Sequence, residues 1–315
     1  MSNLTSDLYN RYDMVLIFDV TDGNPNGDPD ADNQPRIDIE TNQGLVTDVC
    51  QKRKVRDYVA NRLGMEIFFK HQGILNNFID DAHRQADAKS KKSNPEKSKC
   101  TREWLCKNRY DIRTFGAVLD TGEKDKKAGQ VRGAVQCTFA RSIDPILYMN
   151  FTITRKSVTT NKEAEAQIKD NGYIIGTMGR KSLVLYGLYK SNWFVNPALA
   201  HQTGFSKADF KILCDALLNM WEDDHSASRG MMTTCALYVF EHDATESGKP
   251  ALGKAPSHLL LESVKIEKIK AKQESGEPAR QFSDYAVTLD KNGWTEKVNV
   301  YNLVDPADYA RLFGK

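Results

Sequence analysis

No stretch of this 315-residue sequence approaches the ~20 apolar residues that a membrane span requires, and its polar start, MSNLTSDLYNRYD, has no signal-peptide core. A cytoplasmic protein without membrane contact is the expectation. An excess of one charge is lacking as well: Lys+Arg 44 against Asp+Glu 42 leaves +2, so affinity for a polyanion would have to come from local clusters. Cysteine is sparse and scattered, at 50, 100, 106, 137, 214 and 235, which argues for reduced thiols. Cys100 and Cys106 form the one close pair, and no second pair completes a zinc set with His71 or His83. The G-x-S-x-G, H-E-x-x-H, Walker A and G-x-G-x-x-G signatures are all absent. Neither a metal nor a cofactor is expected. What is present is 40% hydrophobic residues, enough for a substantial core in one large domain or two ordinary ones.

The stretch FDVTDGNPNGDPDADN (18 to 33) places Asp22, Asn24, Asn26 and Gly27 in the spacing that opens a calcium-binding loop. Its twelfth position, where a bidentate Glu is needed, is Asn33, and the run YDMVLIFDV (12 to 20) before it is β-forming rather than helical. A Gly/Pro/Asn loop leaving a strand end is therefore expected, with Asn and Asp bonding their own backbone. So polar a loop still needs a reason.

Downstream, GLVTDVCQKRKVRDYVANRLGM (44 to 65) predicts a helix capped by Thr47 and ended at Gly64. Residues 80 to 103 are charged, Ser/Lys-rich and too polar to build a core, so a mobile surface excursion is expected. YDIRTFGAVLD (110 to 120) reads as extended, DTGEKDKKAGQ as an exposed loop, and VRGAVQCTFARS and ILYMNFTITR as strands. A second polar excursion, 158 to 172, belongs to a long hairpin arm that returns into a central strand. Ser206 caps a helix whose Phe210, Leu213, Cys214, Leu217 and Met220 follow helical spacing. MMTTCALYVFEH (231 to 242) is a strand, LLLESVKIEKI (259 to 269) fits strand or helix, and 285 to 303 reads as a hairpin turning at Asn292-Gly293. Without the excursions the order is βαββαβ: an α+β, RRM-like (ferredoxin-like) plan with one open antiparallel sheet and two helices on one face.

Three sites could meet an anion. On the helix 48 to 63, Val49, Val55, Val59 and Leu63 define an apolar arc of roughly 120°, and Lys52 and Arg56 project within it. Either they present charge at the core edge to a phosphate, or they pair with Asp48, Asp57 or carboxylates elsewhere. On the first alternative, exchanging both for Glu leaves a folded chain that no longer holds its anionic ligand. In TMGRKS (177 to 182), Gly176 and Gly179 permit close approach, Arg180 and Lys181 can neutralise phosphates, and Met178 offers a wedge. In QVRGAVQ (130 to 136), Arg132 stands beside Gly133.

These stretches, FDVTDGNPNGDPDADNQPRID, TNQGLVTDVCQKRKVRDYV, DIRTFGAVL, GQVRGAVQ and IIGTMGRKSLVLYGLY, closely resemble the Cas7 backbone subunit of type I CRISPR surveillance complexes (Cascade), in the subtype I-C branch. The resemblance implies a non-catalytic subunit shaped like a hand: an RRM-like palm (1–64, 131–153 and 183–315), a finger insertion (65–130) and a thumb hairpin (154–182). It implies copies stacked head to tail along a crRNA, a heterologous geometry that builds a filament. Target DNA is then read by pairing with the guide, and the protein holds backbone and shape. Other Cascade partners follow: a Cas five-like cap, a large subunit and small subunits. Lys52, Arg53 and Arg56 become guide-phosphate contacts, with Met178, Arg180 and Lys181 at the displaced nucleotide. Asn24 and Asn26 become neutral donors beside the guide and Arg36 a phosphate ligand, whereas Asp28, Asp30 and Asp32 would turn to solvent or to a neighbouring subunit.

The alternative is a metal-dependent endoribonuclease that cuts target RNA, as related type III backbone subunits do. Asp22, Asp28, Asp30, Asp32 and Asp38 are its candidates, since a carboxylate near a scissile phosphate could hold a metal or orient the attacking 2′-hydroxyl.

Overall fold

The computed structural model describes residues 7–86, 93–120, 128–244, 249–291, 294 and 298–314. Its architecture follows from the alternation of β1 (Arg11–Gly23): Tyr12, Met14, Leu16, Phe18 and Val20 enter one core, and Val15 and Ile17 another. A strand buried on both faces must lie inside a covered sheet. After β1 come the two-residue strands β2 (Gly27–Asp28) and β3 (Gln34–Pro35), then β4 (Gln43–Val46) and α1 (Asp48–Leu63). An insertion supplies α2 (Leu75–Gln85), α3 (Asn94–Asn108), α4 (Tyr110–Phe115), β5 (Gly116–Val118) and β6 (Gln130–Arg132). β7 (Val135–Cys137) and β8 (Ala140–Pro145) lead to a ribbon of β9 (Tyr148–Arg155), α5 (Asn161–Asn171) and β10 (Thr177–Val195). Next are α6 (Pro197–Thr203), α7 (Lys207–Asn219) and β11 (Met231–His242). The chain closes with α8 (Ser257–Ser263), β12 (Val264–Lys268), α9 (Lys270–Ser275), β13 (Tyr285–Leu289), β14 (Asn299–Asn302) and α10 (Pro306–Phe313).

The large sheet runs β14-β11-β1-β10-β8-β4, with β7 and β9 also paired to β10, and all of these pairings are antiparallel. In chain order β1, α1, β8, β10, α7 and β11 form the expected strand and helix succession, and their strands neighbour in the order β11-β1-β10-β8. Val55 and Val59 of α1 and Phe210, Leu213 and Leu217 of α7 share one core with Met14, Leu16 and Phe18. The other face is not open, as the sequence led us to expect. Leu260, Leu261, Val264 and Tyr285, from α8, β12 and β13, cover Val15, Ile17 and Leu188 there.

Local expectations differ from the structure where polarity or β-propensity was weighed against packing. Residues 110–115 are helical, because Tyr110, Ile112 and Phe115 bury on successive sides of one turn between the insertion and the main core. The described parts of 80–103 are helices that contribute Ala82 to a separate core around Phe68, Ile79 and Leu105; residues 87–92 lie outside the described residues. The excursion 158–172 holds α5, which Thr160 and Glu163 close with a reciprocal capping box. The segment 259–269 is both things at once, the end of α8 and then β12. Residues 285–303 are no simple hairpin: β13 pairs with β12 and β14 with β11, in different sheets. Asn292 and Gly293, and much of the exposed loop after Asp120, lie outside the described residues. Among the described residues no helix is long and apolar enough to cross a membrane.

Beneath the covering layer, Asp19 follows Val15 and Ile17 on the same strand face and accepts a hydrogen bond from Tyr186 Oη at 3.3 Å. Burial pushes its carboxyl above the ordinary 3.8, Tyr186 and Cys235 opposing in part. A raised folded pKa means that the stability this group contributes is fully present below 3.8 and is lost as pH rises through the folded value. Asp19→Asn should therefore flatten that fall in denaturation midpoint across the acidic range; an unchanged profile would refute the assignment.

Candidate nucleic-acid interface

Thr47 Oγ1 accepts the Cys50 amide and Gly64 ends the helix at φ 62°, so α1 forms as its sequence predicts. Its cations are another matter. Lys52 Nζ lies 2.9 Å from Asp48 Oδ2 and 5.8 Å from the Phe115 ring centroid. Arg53 donates to Asp57 and, at 2.6 Å, to the Phe69 carbonyl. Arg56 is buried: Nε donates to Asp111 Oδ2 at 3.0 Å, and the guanidinium lies against Phe69 and Phe115 at 4.9 and 5.1 Å. Asp111, fully buried, also accepts the amides of Phe68 and Phe69 at 2.7 and 3.0 Å. Desolvation pulls the Arg56 pKa down, with Asp111 holding against it. The pairing alternative thus describes all three cations, and Arg56, expected to face RNA, is a joint between α1 and the insertion. The apolar arc is also shorter than expected. Val55 and Val59 are buried, while Val49 is 68% exposed and Leu63 44%, beyond the ends of the covering elements.

The polar loop is largely self-contained. Asn24 donates its side-chain amide to the Asn33 carbonyl at 2.7 Å, and Asn26 Oδ1 accepts the Thr47 amide at 2.9 Å, tying the loop to the start of α1. Neither is the free donor that was expected. Arg36 Nη2 lies 3.4 Å from Asp28 Oδ1, and its Nε is buried without a partner. Asp28 accepts the Asp30 amide, Asp38 pairs with Arg141 at 2.6 Å, and Asp22, Asp30 and Asp32 are exposed. The Arg141 hydrogen bond holds the Asp38 carboxyl below its ordinary value. Among the described residues no three His, Cys, Asp or Glu side chains gather into a metal-binding group.

The ribbon presents the least committed charge. Met178, Arg180 and Ser182 stand opposite Thr154, Thr152 and Asn150, so they share one ribbon face. Lys181 stands opposite Phe151 and shares the other face with Met149 and Ile153; its Nζ donates to the Ala227 carbonyl at 3.3 Å. Arg180 is exposed with no partner among the described residues, and Met178 is 68% exposed. Gly176, at φ 100°, sits where a Cβ would lie 2.1 Å from the Arg155 carbonyl oxygen, so the distal end of the ribbon requires glycine. Arg132 is likewise exposed and without a partner among the described residues, on a backbone drawn so close to residue 115 that a Cβ at Gly133 would lie 2.1 Å from the Phe115 carbonyl carbon.

A family model for CRISPR-associated protein Cas7 matches residues 10–290. The chain belongs to the Cas7 family. A CRISPR-associated protein Cas7 of Haloferax volcanii is 44% identical to this Cas7-family chain over 61 residues, which span 19% of the chain and 18% of that relative's own length. Of solved structures, a CRISPR RNA-guided surveillance complex in a pre-nicking state has a chain with TM-score 0.49 and 12% identity, covering 75% of this chain and 79% of its own. Another surveillance complex gives 0.43 and 16%, covering 75% and 70%. A Type III-B Cmr-beta complex bound to cognate target RNA gives 0.39 and 11%, covering 73% and 61%.

Within this Cas7-family chain the structure adds a cluster that the sequence reading missed. Lys54, buried on α1, donates to Asp224 Oδ1 at 2.6 Å; Arg229 Nε lies 2.8 Å from Asp224 Oδ2, and Arg229 also donates to the Asn24 and Pro25 carbonyls. The cluster clamps the loop, α1 and the turn before β11 into one body. Its sequence signal was the Arg229-Gly230 step, the same pattern that singled out Arg132-Gly133.

Proposed function

We propose that the chain is a non-catalytic backbone subunit of a type I-C CRISPR surveillance complex (Cascade) in the cytoplasm. In this reading its copies oligomerise along crRNA, bind guide phosphates and present the guide for pairing with target DNA, alongside a cap subunit, a large subunit and small subunits. Membership of the Cas7 family supports it. The carrying observation is the ribbon β9–β10, which bears exposed Met178 and partner-free Arg180 on one face. The sheet order β11-β1-β10-β8, with α1 and α7 on one side, suits an RRM-like palm (1–64, 131–153, 183–315), with fingers at 65–130 and the thumb at 154–182.

The phosphate ligands we assign first are Arg132 and Arg180, because a cation without a partner loses nothing when it meets RNA. Lys181, Arg36, Lys52 and Arg53 stand second, since each would exchange an intramolecular acceptor for a phosphate. Arg56, Asn24 and Asn26 become positioning residues that set α1 and its loop. Met178 is the wedge.

Size-exclusion chromatography of the chain co-expressed with its guide RNA, with molar mass and the 260/280 nm ratio read across the peak, tests assembly. A species many times 35.5 kDa that contains guide-length RNA is expected; an RNA-free monomer would refute assembly along RNA by this chain. Incubating the assembled species with complementary RNA and Mg²⁺ should leave that RNA intact. Cuts at regular spacing, abolished by changing one loop aspartate such as Asp30 or Asp38, would replace the non-catalytic reading with the endoribonuclease.

A further inference from the structure

Between the insertion and the palm lies a cleft of about 650 Å³, of whose lining the preceding assignments use Arg132 alone. Arg102 and Lys107 of α3 and Arg132 of β6 line it, opposite the α6–α7 turn. None of the three has a carboxylate partner among the described residues. The acids on the cleft wall are Glu103 and Asp209, and Asp209 is already held by Arg113 at 2.7 Å. The cleft therefore carries an excess of positive charge, with Arg102, Lys107, Arg113 and Arg132 against Glu103 and Asp209.

One exposed acidic run lies toward the Gly23 end of β1. The loop 28–32, Asp-Pro-Asp-Ala-Asp, follows the Gly23 end of β1, while the cleft lies beyond the Tyr12 end, where Val195 pairs with Tyr12 and Asp7 bridges Ser206. An acidic loop and a cationic cleft at different places on one copy are complementary patches of the kind that a head-to-tail contact brings together. The loop is also pre-formed: Pro29 fixes its φ, Asp28 accepts the Asp30 amide at 3.2 Å, and the Asn33 amide donates to the Asp28 carbonyl at 2.8 Å. Asp30 and Asp32 are left exposed without partners on a rigid tip.

We infer that the acidic loop 28–32 of one copy docks in the Arg102–Lys107 cleft of the next copy, a contact that rests on the head-to-tail reading above and gives the polar loop its reason. Arg132 sits on the rim shared by this cleft and a shallower hollow at Phe115, Gly116 and Gln136, and so faces both neighbour and guide.

Charge exchange tests this with the full chain and guide-length single-stranded RNA. Asp30→Lys with Asp32→Asn changes only exposed side chains, and asparagine suits the left-handed backbone of Asp32 at φ 52°. Arg102→Glu with Lys107→Glu changes the socket. Each pair alone should lower the RNA-bound multimer population at least about tenfold, the effect of setting like charges together, and the four changes combined should restore it. Multimers unaltered by either pair would overturn this contact while leaving assembly on RNA standing; a wild-type chain that stays monomeric on RNA overturns both. Loss of RNA by single chains carrying the socket changes, without rescue by the loop changes, would make the cleft a phosphate site and overturn the protein contact.

Discussion

Arg56→Ala is expected to lower the free energy of unfolding by about 3–5 kcal/mol, the cost of leaving a buried charge without its partner. The size follows from Asp111, which is fully buried and keeps only the Phe68 and Phe69 amides once the guanidinium is gone. Both amides lie where the chain leaves α1 for the insertion, so the joint between two cores loosens with the pair. Arg56→Glu is worse, because it sets a second carboxylate beside the first; the sequence expectation that Glu at 52 and 56 leaves a folded chain is reversed by this geometry. Arg56→Lys should recover little, since a lysine cannot donate along a planar fork while lying between the Phe69 and Phe115 rings. Urea unfolding followed by tryptophan fluorescence measures the difference. A loss under about 1 kcal/mol would place Arg56 among surface pairs and return it to the list of RNA ligands.

What the sequence carried and what it withheld divide along physical lines. Signals local in the chain were legible: the Thr47 cap, the Gly64 stop, the Ser206 cap and the β-forming run of β1 all depend on neighbours within a few residues. Residues 110–115 were misread because their β-forming side chains are helical only through burial against two cores, which is tertiary information. For the same reason α1 showed its cations but not their acceptors. Asp111 and Asp224 are 55 and 170 positions away in the chain from Arg56 and Lys54, and no spacing rule finds them. The second face of the sheet was hidden in the same way: residues 257–289 have ordinary amphipathic patterning, and only the fold shows that they lie on Val15 and Ile17.

The candidate site was legible as a set of basic positions and not as a ranking of them. Arg180 and Lys181 are adjacent in sequence, yet strand alternation sends them to opposite faces of the ribbon, one beside Met178 and the other toward the turn at Ala227. The distinction that matters for binding is whether a cation already has an acceptor. A paired cation must give up a protein acceptor to meet phosphate, whereas an unpaired one exchanges only water.

Arg132→Ala with Arg180→Ala is therefore expected to weaken guide-length RNA binding by roughly 100- to 10,000-fold at physiological salt, each charge-assisted contact contributing about 1.5–3 kcal/mol. The slope of log affinity against log salt should fall by about 1.4, from two contacts at about 0.7 each on a single strand. Because neither guanidinium has an intramolecular partner, unfolding stability should stay within about 0.5 kcal/mol of the parent, the reverse of the Arg56 result. The two variants thus separate two kinds of arginine by opposite signatures: one loses stability, the other loses RNA and salt dependence with the fold intact. Filter binding across a salt series and urea unfolding on the same preparations read both. An unchanged salt slope in the Arg132/Arg180 variant would move the phosphate contacts onto Lys52 and Arg53 and require their carboxylate pairs to open on binding.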